Sequence, residues 1–254
     1  MKFKNRNVII SPKAKIGQNV RIGDDTVIYD NVEIGDNSII ANNCIIGEPN
    51  SDYYYTDDYE NESTVIGSGS LIRSHCILYS GSIFGKKFIT GHRVTIREKT
   101  KIGDYCRVGT LSDIQGDCTI GNYVWLHSNV HIGQKSQIEN FVMIYPYVVL
   151  TNDPTPPSNK LVGVHIKSFA QIAVFSVLLP GVEIGEHSLI GAQSTVDKSV
   201  APFSLTLGSP AKHIKDVREI MSRENGQPHY PWPMRFDRGM PWEGIGFKKW
   251  KDEK

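Results

Sequence analysis

The chain has 254 residues, 39% of them hydrophobic, and 28 Lys+Arg against 27 Asp+Glu give a formal net charge of +1. This balance leaves no global field to attract nucleic acid or anionic lipid, and no apolar run approaches the roughly 18 residues that span a bilayer. The length suffices for one large core plus an appendage, and the start, MKFKNRNVIISPKAKIG, enters a repeat without a secretory apolar segment, so the expected location is the cytoplasm.

Along the chain an apolar residue recurs every six positions. Ile10, Ile16, Ile22, Ile28, Ile34, Ile40 and Ile46 open the series, and Ile166, Ile172, Leu178, Ile184, Ile190 and Val196 close it. Between them, fifteen consecutive positions from Ile66 to Leu150 are apolar except Thr90, where chance at 39% would place about six. A period of six fits neither an amphipathic helix nor an alternating strand, but matches a three-sided coil with one inward side chain per side. Three hexads make a coil of 18 residues, and the series gives about nine coils. The count breaks only between Ile46 and Ile66 and between Leu150 and Ile166, which reads as two loops, 47–65 and 151–165, inserted at corners.

The fourth position after each apolar residue is small almost throughout, as a corner pointing into a narrow prism requires; Phe88 alone is large. All four cysteines, Cys44, Cys76, Cys106 and Cys118, fall on this position, where a thiol packs as a compact hydrophobe, and their spacings match no zinc motif. Glycine often follows the apolar residue, as expected if the turn needs an unusual backbone angle. Apolar residues at outward positions, such as Leu71, Ile77, Ile83, Ile89, Trp125, Met143 and Val149, would be exposed in a monomer and suggest an interface.

The domains divide as 1–200, a parallel β-helix with the two loops, and 201–254, a C-terminal helix and an extended arm. Residues 210–225 (PAKHIKDVREIMSREN) have helical character, with Ile214, Val217, Ile220 and Met221 on one face. The tail beyond holds Trp232, Trp242 and Trp250, too aromatic for a solvated segment, and is expected to pack on this prism or a neighbour's.

An 18-residue coil turns sequence separation into adjacency, since residues 18 apart stack about one strand spacing, ~4.8 Å, from each other. Asp113 and His131 are 18 apart and both point outward. A carboxylate beside an imidazole orients its tautomer and raises its basicity, as a general base needs, although a surface pair of no consequence has the same spacing. His127 is a second candidate, and His92, beside the irregular Thr90, a weaker one. The four tyrosines of EPNSDYYYTDDYENES could stack on a nucleobase or serve only the loop.

The repeat resembles the hexapeptide-repeat family over roughly residues 8 to 215. That resemblance implies an all-β fold, a left-handed parallel β-helix, and an acyltransferase forming homotrimers with active sites in grooves between adjacent prisms. The handedness comes from the resemblance alone, because parallel crossovers are otherwise right-handed in about 98% of cases. The stretch after residue 138 is similar to the branch that N-acylates nucleotide-linked amino sugars: Glu139 opening a coil, the loop Thr151-Asn152-Asp153-Pro154, the turn Ile190 to Ser194 and the exit Gly208 to Lys212. In the maltose and galactoside O-acetyltransferases a catalytic histidine occupies the loop corresponding to 151–156. Here that segment is Thr-Asn-Asp-Pro-Thr-Pro, which favours an amine acceptor, since an alcohol needs a stronger base than an unprotonated amine.

The resemblance implies acetyl-CoA or another acyl-CoA as co-substrate, with Val174 and Ala192 presenting backbone groups to the pantetheine arm and no metal. Lys198, Lys212 and Lys215 could neutralise the phosphates of coenzyme A, or form only a solvated basic exit. Glu139, Asn129, Asn152 and Asp153 are the candidates for holding a nucleotide-sugar substrate. The expected setting is surface polysaccharide (lipopolysaccharide or O-antigen) biosynthesis. An O-acetyltransferase using His131 or His127, and a non-catalytic or zinc-binding β-helix, are the competing expectations.

Overall fold

A computed structural model describes residues 3–253. Twenty-eight short strands, from Ile9–Ile10 to Thr195–Val196, wind into a prism with three parallel faces. The first face begins at Ile9–Ile10, the second at Lys15–Ile16 and the third at Arg21–Ile22, with ten, nine and nine of these strands respectively, and Ser204–Gly208 and Ala211–Asp216 extend the third face to eleven. Most strands have two residues, one inward and one outward, so successive coils register 18 apart, as in Asp113↔His131 and Trp125↔Met143. The inward column from Ile28 to Val196 is buried as one continuous core. Both inserted loops leave the edge between the first and second faces, after strands Ile45–Glu48 and Val149–Leu150.

The corners obey two backbone rules, and one corrects the sequence-based expectation for glycine. The unusual backbone angle falls not on the glycine after each apolar residue but two positions later, on residues such as Asn19, Asn37, Asn129 and Tyr147, with φ near +60°. The glycines answer a steric demand instead: a Cβ on Gly67 would lie 2.5 Å from the backbone of Gly85, and one on Gly109 2.4 Å from that of His127. Side-chain oxygens bridge many of these close approaches. Asp104, Asn122 and Asn140 each accept the amide of the coil before, at 2.7 Å.

The small inward corners join coils as well as saving space. The Ser112 hydroxyl donates to the His127 carbonyl and accepts the Val130 amide, satisfying polar groups sealed from water. The four cysteines are free and buried, with Cys106 and Cys118 pushed up to about 12 and about 11 by burial, so these thiols are held protonated.

Two expectations for the C-terminal region need correction. Residues Ala211–Asp216 form a strand antiparallel to Ser204–Gly208, not a helix, and Val217–Glu219 makes only a single 3-10 turn. The last coil exposes a row of unpaired backbone groups, and the returning chain satisfies them, a demand local periodicity does not record. Ile214 and Met221 accordingly stay exposed while Val217 is buried. The short C-terminal helix lies at Phe247–Asp252.

The aromatic arm packs on its own prism, against the third face. It covers the outward residues Trp125 and Met143, which are therefore buried; Ile83 remains exposed, and Leu71, Ile77, Ile89 and Val149 are half-buried. The arm docks on a feature that sequence reading missed: Tyr105, Tyr123, Phe141, Phe169, His187 and Phe203 form a stacked column on the edge between the second and third faces. Its first three members recur at intervals of 18, which is the signal that would have revealed it.

Candidate functional site

Asp113 and His131 meet on the first face. His131 Nδ1 lies 3.1 Å from Asp113 Oδ2, and the Gln115 amide also donates to that oxygen. Burial alone would push the Asp113 carboxyl up, but hydrogen bonds from His131 and Gln115 and the nearby Arg97 charge together hold it below the ordinary carboxylate value. An ionised Asp113 fixes the proton on Nδ1, leaving Nε2 as the acceptor on a side chain still 42% exposed.

The edge between the third and first faces runs beside this pair. His127 stands on it, stacked on Tyr145 with ring centroids 4.9 Å apart, and burial lowers its pKa so that the imidazole is neutral near pH 7. Asn129 occupies the tip of the same turn with φ +59°. Further along this edge come Val174 and Ala192, one coil apart, the Val174 carbonyl accepting the Gln193 amide. The turn at Ser209 and Pro210, which leads into the strand bearing Lys212, closes over the same edge, tied by a 2.9 Å bond from the Ser209 hydroxyl to that of Thr195. Lys198 and Lys215 lie apart from it, lining a groove of about 820 Å³ at the end of the prism.

The four residues expected to hold the sugar stand on three different edges of a single prism. Asn152 and Asp153 begin the second loop between the first and second faces, where Asn152 Cβ would lie 3.2 Å from a Cβ on Gly133, in the coil of His131. The Asp153 carboxylate organises its own loop, accepting from the Thr155 amide and from the amide and hydroxyl of Ser158, which hold its pKa below the usual value. Glu139 lies between the second and third faces in a network with His165, Lys167 and Ser168. Burial pushes its carboxyl up, yet the Ser168 donors and Lys167 outweigh it and leave the pKa lowered. Three of the four loop tyrosines, Tyr53, Tyr54 and Tyr59, pack edge to face among themselves. Among the described residues, no group of three or more His, Cys, Asp or Glu converges to hold a metal ion, and no helix is long and apolar enough to cross a membrane.

A prism of parallel coils closing every 18 residues, with small inward corners and glycines at coil contacts, is a parallel β-solenoid built from six-residue repeats, consistent with a left-handed β-helix. The chain accordingly matches the model of the bacterial transferase hexapeptide over residues 13–48. It is 31% identical to the acyl-(acyl-carrier-protein)–UDP-N-acetylglucosamine O-acyltransferase of Burkholderia orbicola over 50% of this chain and 42% of that one. It is 25% identical to the bifunctional protein GlmU of Synechococcus over 61% of this chain and 35% of that one. The chain thus spans less than half the length of these curated relatives. The Arabidopsis UDP-N-acetylglucosamine acyltransferase superposes with a TM-score of 0.49 at 15% identity, covering 85% of this chain and 74% of that one, too loose a match to carry an argument about function.

Proposed function

We propose that the protein is an acyl-CoA-dependent acyltransferase that N-acetylates the amino group of a nucleotide-linked amino-deoxy sugar, working as a homotrimer in cytoplasmic steps of surface polysaccharide synthesis. The observation that carries the reading is the Asp113–His131 pair, on the first face beside the edge that bears His127, Val174 and Ala192. The sugar amine attacks the thioester carbonyl and a C–N bond forms. His131 Nε2 takes the amine proton; the tetrahedral intermediate collapses, the C–S bond breaks, and the proton passes to the departing thiolate. Asp113 stabilises the imidazolium in between. Because Asn129, Asn152 and Glu139 occupy separate edges, a neighbouring prism would have to complete the sugar site, which is what a trimer with sites between prisms supplies.

A second reading, O-acylation, is favoured by two observations: an oriented Asp–His base is what an alcohol acceptor requires, and the Burkholderia relative is named an O-acyltransferase. The test is thiol release from acetyl-CoA, or turnover of acyl-carrier-protein thioester, against dTDP- and UDP-linked amino sugars and their hydroxyl analogues. Turnover of the amino compounds is expected; turnover confined to the hydroxyl compounds establishes the second reading instead.

A further inference from the structure

The arm roofs a cavity of about 460 Å³ on the third face, and the cavity wall contains an anomaly. Trp125 and Gln171, 8% and 7% exposed, both line it, and Trp125 Nε1 and Gln171 Oε1 are buried without a hydrogen-bond partner. Native interiors leave few polar groups unmet, and two in side chains that line one cavity point to something that meets them when the wall opens. One is a donor and the other an acceptor. His127 and Tyr145 form another part of the wall.

Charge supplies the second clue. Arg235 and Arg238, exposed on the arm, line the same cavity, and across Trp125 and His127 a smaller groove of about 330 Å³ carries Arg73 and Arg107. None of these four guanidinium groups forms an ion pair with a carboxylate among the described residues; Arg107 lies over the Trp125 ring at 4.3 Å, and Arg238 over that of Phe236 at 5.7 Å. Unpaired guanidinium groups beside an aromatic cavity suit a phosphate attached to a planar ring.

We propose that this cavity binds a nucleoside phosphate, the base edge accepting from Trp125 Nε1 and donating to Gln171 Oε1, and the phosphates lying against the arginines. Pyrimidine imides and adenine both place an acceptor beside a donor on one edge. The function proposed above names two sources, the nucleotide of the sugar substrate and the adenosine phosphate of the acyl donor, and the inference rests on it only in that choice.

Titration calorimetry of the full chain with dTDP, UDP and adenosine 3′,5′-bisphosphate in separate arms tests the assignment. Binding is expected in the pyrimidine arms or the adenosine arm, identifying the source, with affinity at least tenfold weaker in Gln171→Leu and in the Arg235→Gln/Arg238→Gln double variant. The arginines are exposed, so that double variant reports on the site even if Gln171→Leu perturbs packing. No binding in any arm, or undiminished binding by the double variant, overturns it. Turnover of amino sugars with unchanged KM for both substrates in the double variant also removes the cavity from substrate binding and leaves the proposed function standing. Nucleotide binding that these substitutions weaken, without turnover of any amino sugar, rejects the function and retains the pocket.

Discussion

On the first face of the prism, outward residues remain accessible, and the Asp113–His131 pair has a ring nitrogen open to a reactant. On the third face, one strand away in each coil, the equivalent outward residues Trp125, Met143 and Gln171 are buried beneath the arm. The backbone is the same in both places. A repeat therefore offers equivalent positions, and what the rest of the chain lays over a face decides whether those positions become a reactive surface or a packed one.

The sharpest way to test that contrast is to remove the open imidazole. His131→Asn is expected to lower kcat by roughly 10²–10⁴-fold, the usual range for a general base, while acyl-CoA affinity measured by calorimetry and the packing of the arm stay as they are. An unchanged kcat would strip the first face of the catalytic role proposed for it and move attention to His127.

The next largest effect tests the covered face. Trp242 is fully buried, packed on Phe141 and Phe169, with its indole donating to the Phe236 carbonyl. Trp242→Ala is expected to cost about 3–5 kcal/mol, registered as lost hydrogen-exchange protection over residues 217–253 while the inward core from Ile28 to Val196 keeps its protection. Loss of protection throughout the prism would mean that arm and repeat fold as one unit.

The smallest effect is a pH dependence at the edge to which the arm docks. His187 is sandwiched between Phe169 and Phe203, and burial, helped by the Lys251 charge, lowers its pKa from 6.5 to about 4. Folding thus disfavours the proton, and the unfolded chain binds more of it between those values. The contribution of a neutral His187 is complete above pH 6.5 and declines as pH falls towards 4, by up to about 3 kcal/mol. His187→Phe should flatten the fall in Tm over that window; an identical fall in both proteins would show that other groups control it.

Particular residues show how much could be read in advance. The hexad series from Ile10 to Val196, both loop positions, the buried cysteine corners and the Asp113–His131 contact follow from counting, because a coil of fixed length converts number into position. The helix expected at residues 210–225 fails on the same logic, since the unpaired backbone of the last coil is a property of the assembled sheet. The glycine after many of the apolar residues was visible, but its cause, a neighbouring coil whose nearest atom lies 2.3–2.7 Å from where a Cβ would sit, was not.

The sequence by itself determined the winding, the inward core and which residues become vertical neighbours, all consequences of a period shared by every coil. Only the tertiary structure decided that the arm folds back onto the third face, that Trp125 and Gln171 close a cavity with unmet polar atoms, and that the candidate sugar contacts stand on separate edges. Those outcomes depend on contacts between an aperiodic segment and a periodic one, where no repeat relates the partners and side-chain shape and burial choose the docking.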